Sequence, residues 1–221
     1  MTIDSKWRAP ARASYLTLFV FLLGTILVQP LFTRTVGGRA LLSATFSLLL
    51  VLGLWAVGRT AWWRGIGLAI ALPALVFRWV AFVRPDGAIE IAAAVLSALF
   101  CLYVAVVFVS DVLREPEVGT EQIFGASCAY ILIGLMWAFC YAAADMLQPG
   151  AFNGHDAASS GFSDFIYFSF ITLTTLGYGD MTPASPMARM LAVLEGIIGQ
   201  LYIAILIARL VGAHSPPQRS R

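Results

Sequence analysis

Charged side chains are scarce in this sequence. Only 12% of its 221 residues are Asp, Glu, Lys or Arg and 60% are hydrophobic, whereas a soluble domain has about 25% charged and about 45–50% apolar residues. This balance excludes an ordinary soluble domain and predicts an integral membrane protein whose partner is the lipid bilayer. The net charge of +2 is small and the basic residues are scattered, so no nucleic-acid partner is expected.

Cysteine and histidine are also rare. Cys101, Cys128 and Cys140 each lie within an apolar run, and His155 and His214 are isolated from each other. These spacings fit neither a disulfide framework nor a metal site, so we interpret the cysteines as buried thiols and give the histidines no ligand role. No nucleophile is accompanied by a base, so an enzyme with catalytic residues or a bound cofactor is not expected.

The hydrophobic residues gather into six long runs, at 15–32, 41–57, 65–83, 89–109, 123–146 and 187–211. Each approaches the roughly 20 residues that an α-helix needs to cross a bilayer. The first run has a basic front like a signal peptide, but no cleavage site is evident, and we interpret it as a retained helix. A shorter run, 165–175, cannot cross and is predicted to be re-entrant and enclosed by protein. The predicted fold is an all-α membrane protein with six transmembrane helices.

A polar, acidic segment at 110–122 divides the chain. Pro116 and Gly119 are expected to end any long helix there, with Thr120 as the N-cap and Glu121 in the first turn of the fifth spanning helix. We therefore expect a polar N-terminus at 1–14, a four-helix membrane unit at 15–109, this linker, a second membrane unit at 123–211 and a tail at 212–221. The tail is too short for a tethered regulatory domain.

The distribution of Lys and Arg predicts the orientation in the membrane, since cytoplasmic loops carry an excess of these residues. If both termini are cytoplasmic, nine basic residues lie inside and four outside. The inner ones are Lys6, Arg8, Arg12, Arg59, Arg64, Arg114, Arg209, Arg219 and Arg221, and the outer ones are Arg34, Arg39, Arg84 and Arg189. We therefore predict a multi-pass plasma-membrane protein with cytoplasmic N- and C-termini.

A stretch between the re-entrant run and the last spanning run has two threonines followed by Gly-Tyr-Gly. Glycine reaches positive φ without a Cβ clash, so alternate residues can turn over and align successive backbone carbonyls. A ring of such carbonyls from several chains can replace the water around a dehydrated cation. Alone, Gly-Tyr-Gly is also typical of a simple turn. The stretch is Thr174, Thr175, Leu176, Gly177, Tyr178, Gly179 and Asp180.

This stretch resembles the selectivity filter of the potassium channels, which reads Thr-Val-Gly-Tyr-Gly and is usually followed by Asp; Leu176 stands where valine is commoner. Tyr167 and Phe168 occupy the positions of that family's pore-helix aromatic pair. Gly199 follows Gly177 by 22 residues, where the family has its hinge glycine. The resemblance covers the C-terminal part of the chain, and the first four spans match only by number.

The resemblance implies that filter carbonyls, with the Thr175 hydroxyl, bind permeant K+ ions, and that four chains form a homotetramer around one pore. The segment 164–175 becomes a pore helix with Ser163 as its N-cap and the negative end of its dipole toward the ions. The expected ion-binding residues are Thr175, Leu176, Gly177 and Tyr178, with Gly179 closing the outer end, and the expected supporting residues are Thr172, Thr174, Asp180, Tyr167 and Phe168.

The sequence departs from the family at two positions beside the filter. Phe168 stands where many relatives have a tryptophan that bonds the filter aspartate, and Ile171 stands where some have a glutamate. Asp180 is therefore expected to lack both usual partners. The Tyr178 side chain is expected to brace the filter against Tyr167, and potassium selectivity is expected from the intact Thr-x-Gly-Tyr-Gly signature.

The last spanning run carries the residues expected to control the pore. Gly199 resembles the family's gating hinge, with close helix packing as the alternative; for Gly196 we prefer the packing interpretation. Glu195 is costly inside a membrane. We interpret it as protonated or bonded behind the filter, as a residue that tunes gating by pH, or as a hydrogen-bonded brace to the pore helix. An apolar constriction can gate a pore by dewetting. By resemblance, the cavity and inner constriction are formed by Gln200, Ile203, Ile207 and Val211.

Three expectations concern the rest of the chain. The fourth run, 89–109, contains no Arg or Lys, and a voltage sensor needs several because each charge moved contributes about 2.3 kcal/mol per 100 mV; voltage gating of the usual kind is not expected. Arg78 is expected to pair with Glu90. The loop 147–163 contains Asp156 and is followed directly by Asp164. It is expected to be either a plain solvated loop or an acidic mouth that attracts cations.

Three other functions stay open from the residues. A weakly selective cation channel would use the same architecture with a looser filter. A secondary transporter would need paired broken helices in two related halves, and only one interruption is visible. A non-conducting membrane scaffold is opposed by the intact signature.

Overall fold

The computed structural model describes residues 12–32, 36–56, 61–114, 119–155 and 161–214. This part of the chain is helical apart from one pair of two-residue strands. The elements in order are α1 (Arg12–Phe32), α2 (Val36–Ala56), α3 (Ala61–Val83), α4 (Gly87–Arg114), α5 (Thr120–Leu147), β1 (Phe152–Asn153), α6 (Phe162–Leu173), β2 (Thr182–Pro183) and α7 (Pro186–His214).

Four of these helices, α3, α4, α5 and α7, are long and apolar enough to cross a membrane. The described apolar parts of α1 and α2, Tyr15–Gln29 and Ala40–Trp55, are shorter, so the count of six spans stays a prediction. α6 has 12 residues and is too short to cross, in agreement with a re-entrant segment. The chain is a helical, multi-pass membrane protein.

α5 lies at the centre of the molecule. It packs against α1, α4, α6 and α7, and 72% of its most apolar window is buried, against 11% of the corresponding window of α7. Small residues such as Ala129 and Ala138 let neighbouring helices come close, and aromatic pairs such as Phe46 and Phe139, with ring centroids 5.4 Å apart, fill the gaps. α5 is thus the scaffold on which α6 is seated, whereas α7 leaves most of its apolar surface uncovered.

The boundary between the two membrane units differs from the prediction. α4 continues to Arg114, five residues into the segment read as a linker. α5 begins at Thr120 with Gly119 as its N-cap, so the assignment of Thr120 as the cap is wrong. The reason is that the Gln122 side chain accepts a hydrogen bond from the Gly119 N–H at 2.9 Å, which caps the helix one residue earlier. Glu121 lies in the first turn, as predicted.

α6 also begins earlier than predicted. Its N-cap is Gly161, in an extended conformation, so Ser163 lies inside the first turn and is not the cap. The helix ends at Leu173, with Thr174 as its C-cap. The predicted pore helix therefore exists, displaced by about half a turn toward the N-terminus.

A short antiparallel pairing ties the loop after α5 to the segment that follows the Gly-Tyr-Gly stretch. Phe152 pairs with Pro183 and Asn153 with Thr182, and the Ala184 N–H donates to the Ala151 carbonyl at 2.8 Å. This loop was expected to be either a plain solvated loop or an acidic mouth that attracts cations. In the structure its first part is anchored; Asp156 lies outside the described residues.

Arg78 does not pair with Glu90, and that prediction is wrong. Its guanidinium carbon instead lies 5.5, 5.4 and 6.0 Å from the ring centroids of Phe46, Phe139 and Phe162. The side chain points inward between α2, α5 and the start of α6, where aromatic faces attract a cation. No ion pair joins it to Glu90 within the described ranges.

Candidate functional site

The backbone after α6 turns back on the helix end. The N–H groups of Leu176 and Gly177 both donate to the Ile171 carbonyl, at 2.9 and 3.1 Å, and the Thr175 N–H donates to the Thr172 carbonyl at 3.0 Å. The N–H groups of Thr175, Leu176 and Gly177 therefore all bond to α6. The segment is held by backbone bonds rather than by a sheet or a further helix.

Alternate residues of this stretch have positive φ. The values are 60° at Thr175, 53° at Gly177 and 82° at Gly179. Only glycine takes this conformation without a Cβ penalty, so the two glycines occupy positions that require them and Thr175 is strained. This is the alternation that the carbonyl alignment requires, and it extends one residue further back than the glycines.

The two threonine hydroxyls are held by backbone carbonyls. Thr174 donates to the Phe170 carbonyl at 2.6 Å, and Thr175 donates to the Thr174 carbonyl at 2.7 Å. Because the Thr175 proton is used in this way, the lone pairs of its oxygen are left for an electrophile such as a cation. The Thr174 bond fastens the start of the stretch to α6.

The apolar side chains of the stretch are uncovered in a single chain. Leu176 is 55% exposed and Tyr178 is 69% exposed. No ring contact joins Tyr178 to Tyr167 in the described part of one chain, so the brace of Tyr178 against Tyr167 and its neighbours stays a prediction. Within one chain the stretch has backbone support on its α6 side and no side-chain support on the other.

Asp180 has a partner that the sequence analysis missed. The Tyr167 hydroxyl donates to Asp180 Oδ2 at 2.6 Å. The two usual partners are absent, as expected, because Phe168 and Ile171 have no hydrogen-bonding side chain. This hydrogen bond holds the pKa of the Asp180 carboxyl below its ordinary value. The first residue of the aromatic pair supplies the donor, while the second does not need to.

Phe168 serves packing instead. It is buried, and its ring centroid lies 4.9 Å from that of Tyr141 and 5.2 Å from that of Phe152, both edge-to-face. Phe152 in turn lies 5.6 Å from Phe165. This aromatic cluster joins α5, β1 and α6 behind the Gly-Tyr-Gly stretch.

Glu195 is fully buried at the contact of three helices. The Tyr141 hydroxyl of α5 donates to its Oε2. Its Oε1 lies 2.5 Å from the hydroxyl of Ser169 on α6, and that hydroxyl also lies 2.7 Å from the Gly134 carbonyl. The structure thus contains the brace to the pore helix that was one of the interpretations of Glu195.

The two glycines of α7 have opposite surroundings. A Cβ built on Gly199 would lie 2.7 Å from the Leu173 carbonyl oxygen and 2.8 Å from Leu173 Cδ1, whereas one built on Gly196 would meet nothing within 4 Å. Gly199 therefore lets α7 touch the end of α6. The packing interpretation that we preferred for Gly196 finds no contact within the described residues of one chain.

The residues assigned to the cavity and constriction share an exposed stripe of α7 and do not meet within one chain. They follow one another at helical spacing, with Ile203 36%, Ile207 55% and Val211 63% exposed. Gln200 is exposed on the same stripe. Their roles stay predictions, because one chain brings none of them together.

His155 is not isolated in the fold. Its Nε2 lies 3.7 Å from Asp145 Oδ2 at the end of α5, and its Nδ1 lies 3.3 Å from Asp164 Oδ2 in the first turn of α6. Asp164 therefore contacts His155, which in turn contacts Asp145. These contacts tie the end of the loop's described first part to α5 and α6, which neither the plain solvated loop nor the acidic mouth included.

Several residues that build the site carried no sequence signal. They are Tyr130, whose hydroxyl donates to the Leu173 carbonyl at 3.3 Å, Tyr141 and Ser169 around Glu195, and Gly134, where a Cβ would lie 2.7 Å from Phe170 Cζ. A polar or glycine position within an apolar run is the only hint, and it names no partner.

Residues 126–214 match a family model described as an ion channel. Over 83 residues the chain is 35% identical to the two pore potassium channel c of Oryza sativa subsp. japonica, which covers 38% of the chain and 17% of that protein. It is 28% identical over 89 residues to the inward rectifier potassium channel Kirbac3.1 of Paramagnetospirillum magnetotacticum, an alignment that covers 40% of the chain and 28% of that protein. It is 39% identical over 57 residues to the two-pore potassium channel 1 of Arabidopsis thaliana, an alignment that covers 26% of the chain and 15% of that protein.

The spanning helices α5 and α7, the re-entrant α6 and the alternating backbone between them define the pore region of an ion channel. In this C-terminal part the chain is similar to potassium channels, in agreement with the resemblance of the TTLGYGD stretch. The chain spans less than a third of the length of each of these relatives.

Proposed function

We propose that this protein is a potassium-selective channel that conducts dehydrated K+ passively through a filter shared by four chains. The carbonyls of residues 175–178 and the Thr175 hydroxyl coordinate the ions. The observation that carries the proposal is the alternating positive φ at Thr175, Gly177 and Gly179, combined with N–H groups that bond back to α6. Donors turned toward the helix leave carbonyl oxygens for a cation, which needs acceptors only.

Two features of one chain support the proposed assembly into a homotetramer. A single filter strand provides one side of an ion site, and the exposed Leu176 and Tyr178 need cover. α7 has an apolar surface that the described part of the chain leaves largely uncovered. Four copies around one axis supply the remaining carbonyls and bury these side chains.

The stimulus that opens the channel is not a charged fourth helix. Within α4 the basic residue is Arg114, in the last turn. Arg78 of α3 is held among three aromatic rings, which fixes its position. We further propose that both termini face the cytoplasm and that the filter faces the outer side of the plasma membrane, from the bias of Lys and Arg.

The reversal potential in planar bilayers under a potassium/sodium gradient tests the proposal. We expect reversal near the potassium equilibrium value and an open probability that stays flat with voltage. Gly177→Ala places a Cβ at φ 53°, a conformation that costs an L-residue about 1–2 kcal/mol, and is expected to abolish selectivity. Gly65→Ala in α3, where a Cβ meets nothing within 4 Å, is the matched control and is expected to behave as the wild type.

Other outcomes identify the alternatives. A reversal potential near zero with intact currents indicates a weakly selective cation channel. Flux into liposomes that depends on a second solute indicates a transporter. A folded protein with neither current nor potassium flux at any voltage indicates a scaffold, and the proposal then fails.

A further inference from the structure

Four oxygen-bearing groups form a continuous chain across three helices. The Tyr141 hydroxyl contacts Glu195 Oε2, Glu195 Oε1 lies 2.5 Å from Ser169 Oγ, and Ser169 Oγ lies 2.7 Å from the Gly134 carbonyl oxygen. Tyr141 and Gly134 belong to α5, Ser169 to α6 and Glu195 to α7. All three side chains are fully buried.

The number of protons in this chain decides the state of Glu195. Three oxygen–oxygen contacts need three protons, and the two hydroxyls supply two, since each carries one. An ionised carboxylate donates nothing, which leaves either the Ser169–Glu195 or the Ser169–Gly134 contact without a proton. A neutral carboxylic acid completes the set, with Tyr141 donating to Oε2, Oε1 donating to Ser169 and Ser169 donating to Gly134.

The surroundings of Glu195 agree with this count. Among the described residues, no Arg, Lys or His nitrogen forms an ion pair with it. The titratable groups that face it are Tyr130, Cys140 and Tyr141, all from α5, and none is a cation. A buried carboxylate without a cationic partner is strongly disfavoured in its charged form.

The hydrogen-bond chain from Tyr141 to Gly134 is linked to the filter through α6. Ser169 lies two residues before Ile171, whose carbonyl accepts the N–H groups of Leu176 and Gly177. One turn further along α7, Gly199 touches the Leu173 backbone. A change at Glu195 therefore acts on the helix end that holds the filter backbone.

We propose that Glu195 is a protonated carboxylic acid that acts as a positioning residue, fixing α6 and hence the filter between α5 and α7. Its role in selectivity rests on the proposed channel function, whereas its protonation does not. Loss of the proton leaves a charge in the contact and leaves one of the two Ser169 contacts, to Glu195 or to Gly134, without a hydrogen bond, so alkaline pH loosens the filter.

Infrared difference spectroscopy of the full-length protein in lipid tests the proton directly. The difference between wild type and Glu195→Gln at neutral pH is expected to show a carboxylic acid C=O band that shifts in heavy water. Loss of carboxylate bands instead would overturn the proposal, whether or not the protein conducts.

Two variants test the positioning role. Glu195→Gln retains a hydrogen-bond acceptor and a donor, and we expect it to keep wild-type selectivity at neutral pH. In Glu195→Leu we expect the backbone amides of residues 171–180 to exchange hydrogen about tenfold faster than in the wild type, as the loss of one buried hydrogen bond predicts. Raising the pH is expected to speed exchange, after correction for the intrinsic rate, and to lower selectivity in the wild type and not in Glu195→Gln. Equal pH profiles for these two proteins would refute a titrating role.

The two proposals fail separately. A wild type that passes no potassium current but shows the acid band and the exchange pattern sinks the channel function and leaves the protonated brace in place. A selective channel whose Glu195→Gln form lacks the band difference sinks the brace alone.

Discussion

Two glycines of the loop after α5 share a backbone conformation but not their surroundings. Gly150 has φ 84°, and a Cβ built on it would meet nothing within 4 Å. Gly154 has φ 79°, and a Cβ built on it would lie only 2.1 Å from the Asp180 carbonyl oxygen. The second glycine therefore serves contact as well as conformation. It sets how closely the loop lies against the end of the filter.

This pair separates strain from clash. Gly150→Ala is expected to cost about 1–2 kcal/mol of unfolding free energy for the left-handed conformation. Gly154→Ala is expected to add about 1–3 kcal/mol for overpacking and to alter selectivity by displacing Asp180. Thermal unfolding in detergent and permeability ratios measure both. Equal losses in the two variants would mean that the loop does not touch Asp180.

The Tyr167–Asp180 hydrogen bond gives the outer end of the filter a pH dependence. Because the pKa of Asp180 is lowered in the folded protein, the bond contributes its full stabilisation above the ordinary Asp pKa of about 3.9. That contribution is lost as the pH falls through the lowered value. Tyr167→Phe removes it at every pH, so the acid side of the stability profile should become flatter than in the wild type.

Thermal midpoints from neutral to acidic pH measure this effect. Asp180→Asn serves as the control, since it cannot titrate, and adding Tyr167→Phe to it should leave the acid slope unchanged. If Tyr167→Phe retains the wild-type acid slope on its own, the bond does not set the titration of Asp180.

At the scale of elements, α6 is positioned by glycines on both neighbours. A Cβ on Gly134 of α5 would lie 2.7 Å from Phe170 Cζ, and one on Gly199 of α7 would lie 2.7 Å from the Leu173 carbonyl. A flexible ring can yield at the first contact, but backbone cannot at the second. The approach of α7 to α6 is therefore the more rigid of the two.

Alanine at the two glycines of α7 should have opposite effects on stability. Gly196→Ala is expected to stabilise the helix by up to about 1 kcal/mol through propensity. Gly199→Ala is expected to lose about 1–3 kcal/mol through overpacking against Leu173. Thermal midpoints of the detergent-solubilised protein distinguish them. A hinge role without the contact would leave the midpoint of Gly199→Ala unchanged while altering open probability.

At the scale of the whole molecule, the surface of α7 decides the assembly. Its most apolar window is only 11% buried, and its predicted pore-facing residues do not meet in one chain. A membrane covers apolar side chains, but it cannot complete a ring of carbonyls. We therefore expect the chain to be one part of the proposed tetramer.

Native mass spectrometry from a mild detergent should give four chains of 23.9 kDa each. Gly65→Ala, remote from the filter, should leave that mass unchanged and calibrates the measurement. A monomer or dimer that still conducts potassium selectively would contradict the shared filter.

Hydropathy and local backbone chemistry predicted a large part of this protein. The apolar runs located α3, α4, α5 and α7 to within a few residues, because a bilayer demands a long continuous stretch of side chains. The re-entrant α6 followed from a run too short to cross. The two glycines at positive φ followed from the absence of a Cβ, which is a property of the residue itself.

The errors have a common cause, which is that a sequence names side chains without naming their partners. Arg78 was assigned to the nearest acidic residue along the chain, but the fold surrounds it with Phe46, Phe139 and Phe162. The N-cap of α5 was misplaced because the Gln122 side chain reaches back to the Gly119 N–H. In each case the competing contact was equally compatible with the composition.

The sequence by itself determined the membrane helices and the backbone of the filter stretch, since both depend on residues adjacent in the chain. Only the tertiary structure decided what holds that stretch. Tyr167 reaches Asp180 across 13 residues, Ser169 reaches Glu195 across 26 and Tyr141 reaches Glu195 across 54. Such contacts depend on where the packed helices place each hydroxyl. Helical periodicity in the sequence does not say which residues on different helices come within hydrogen-bonding distance.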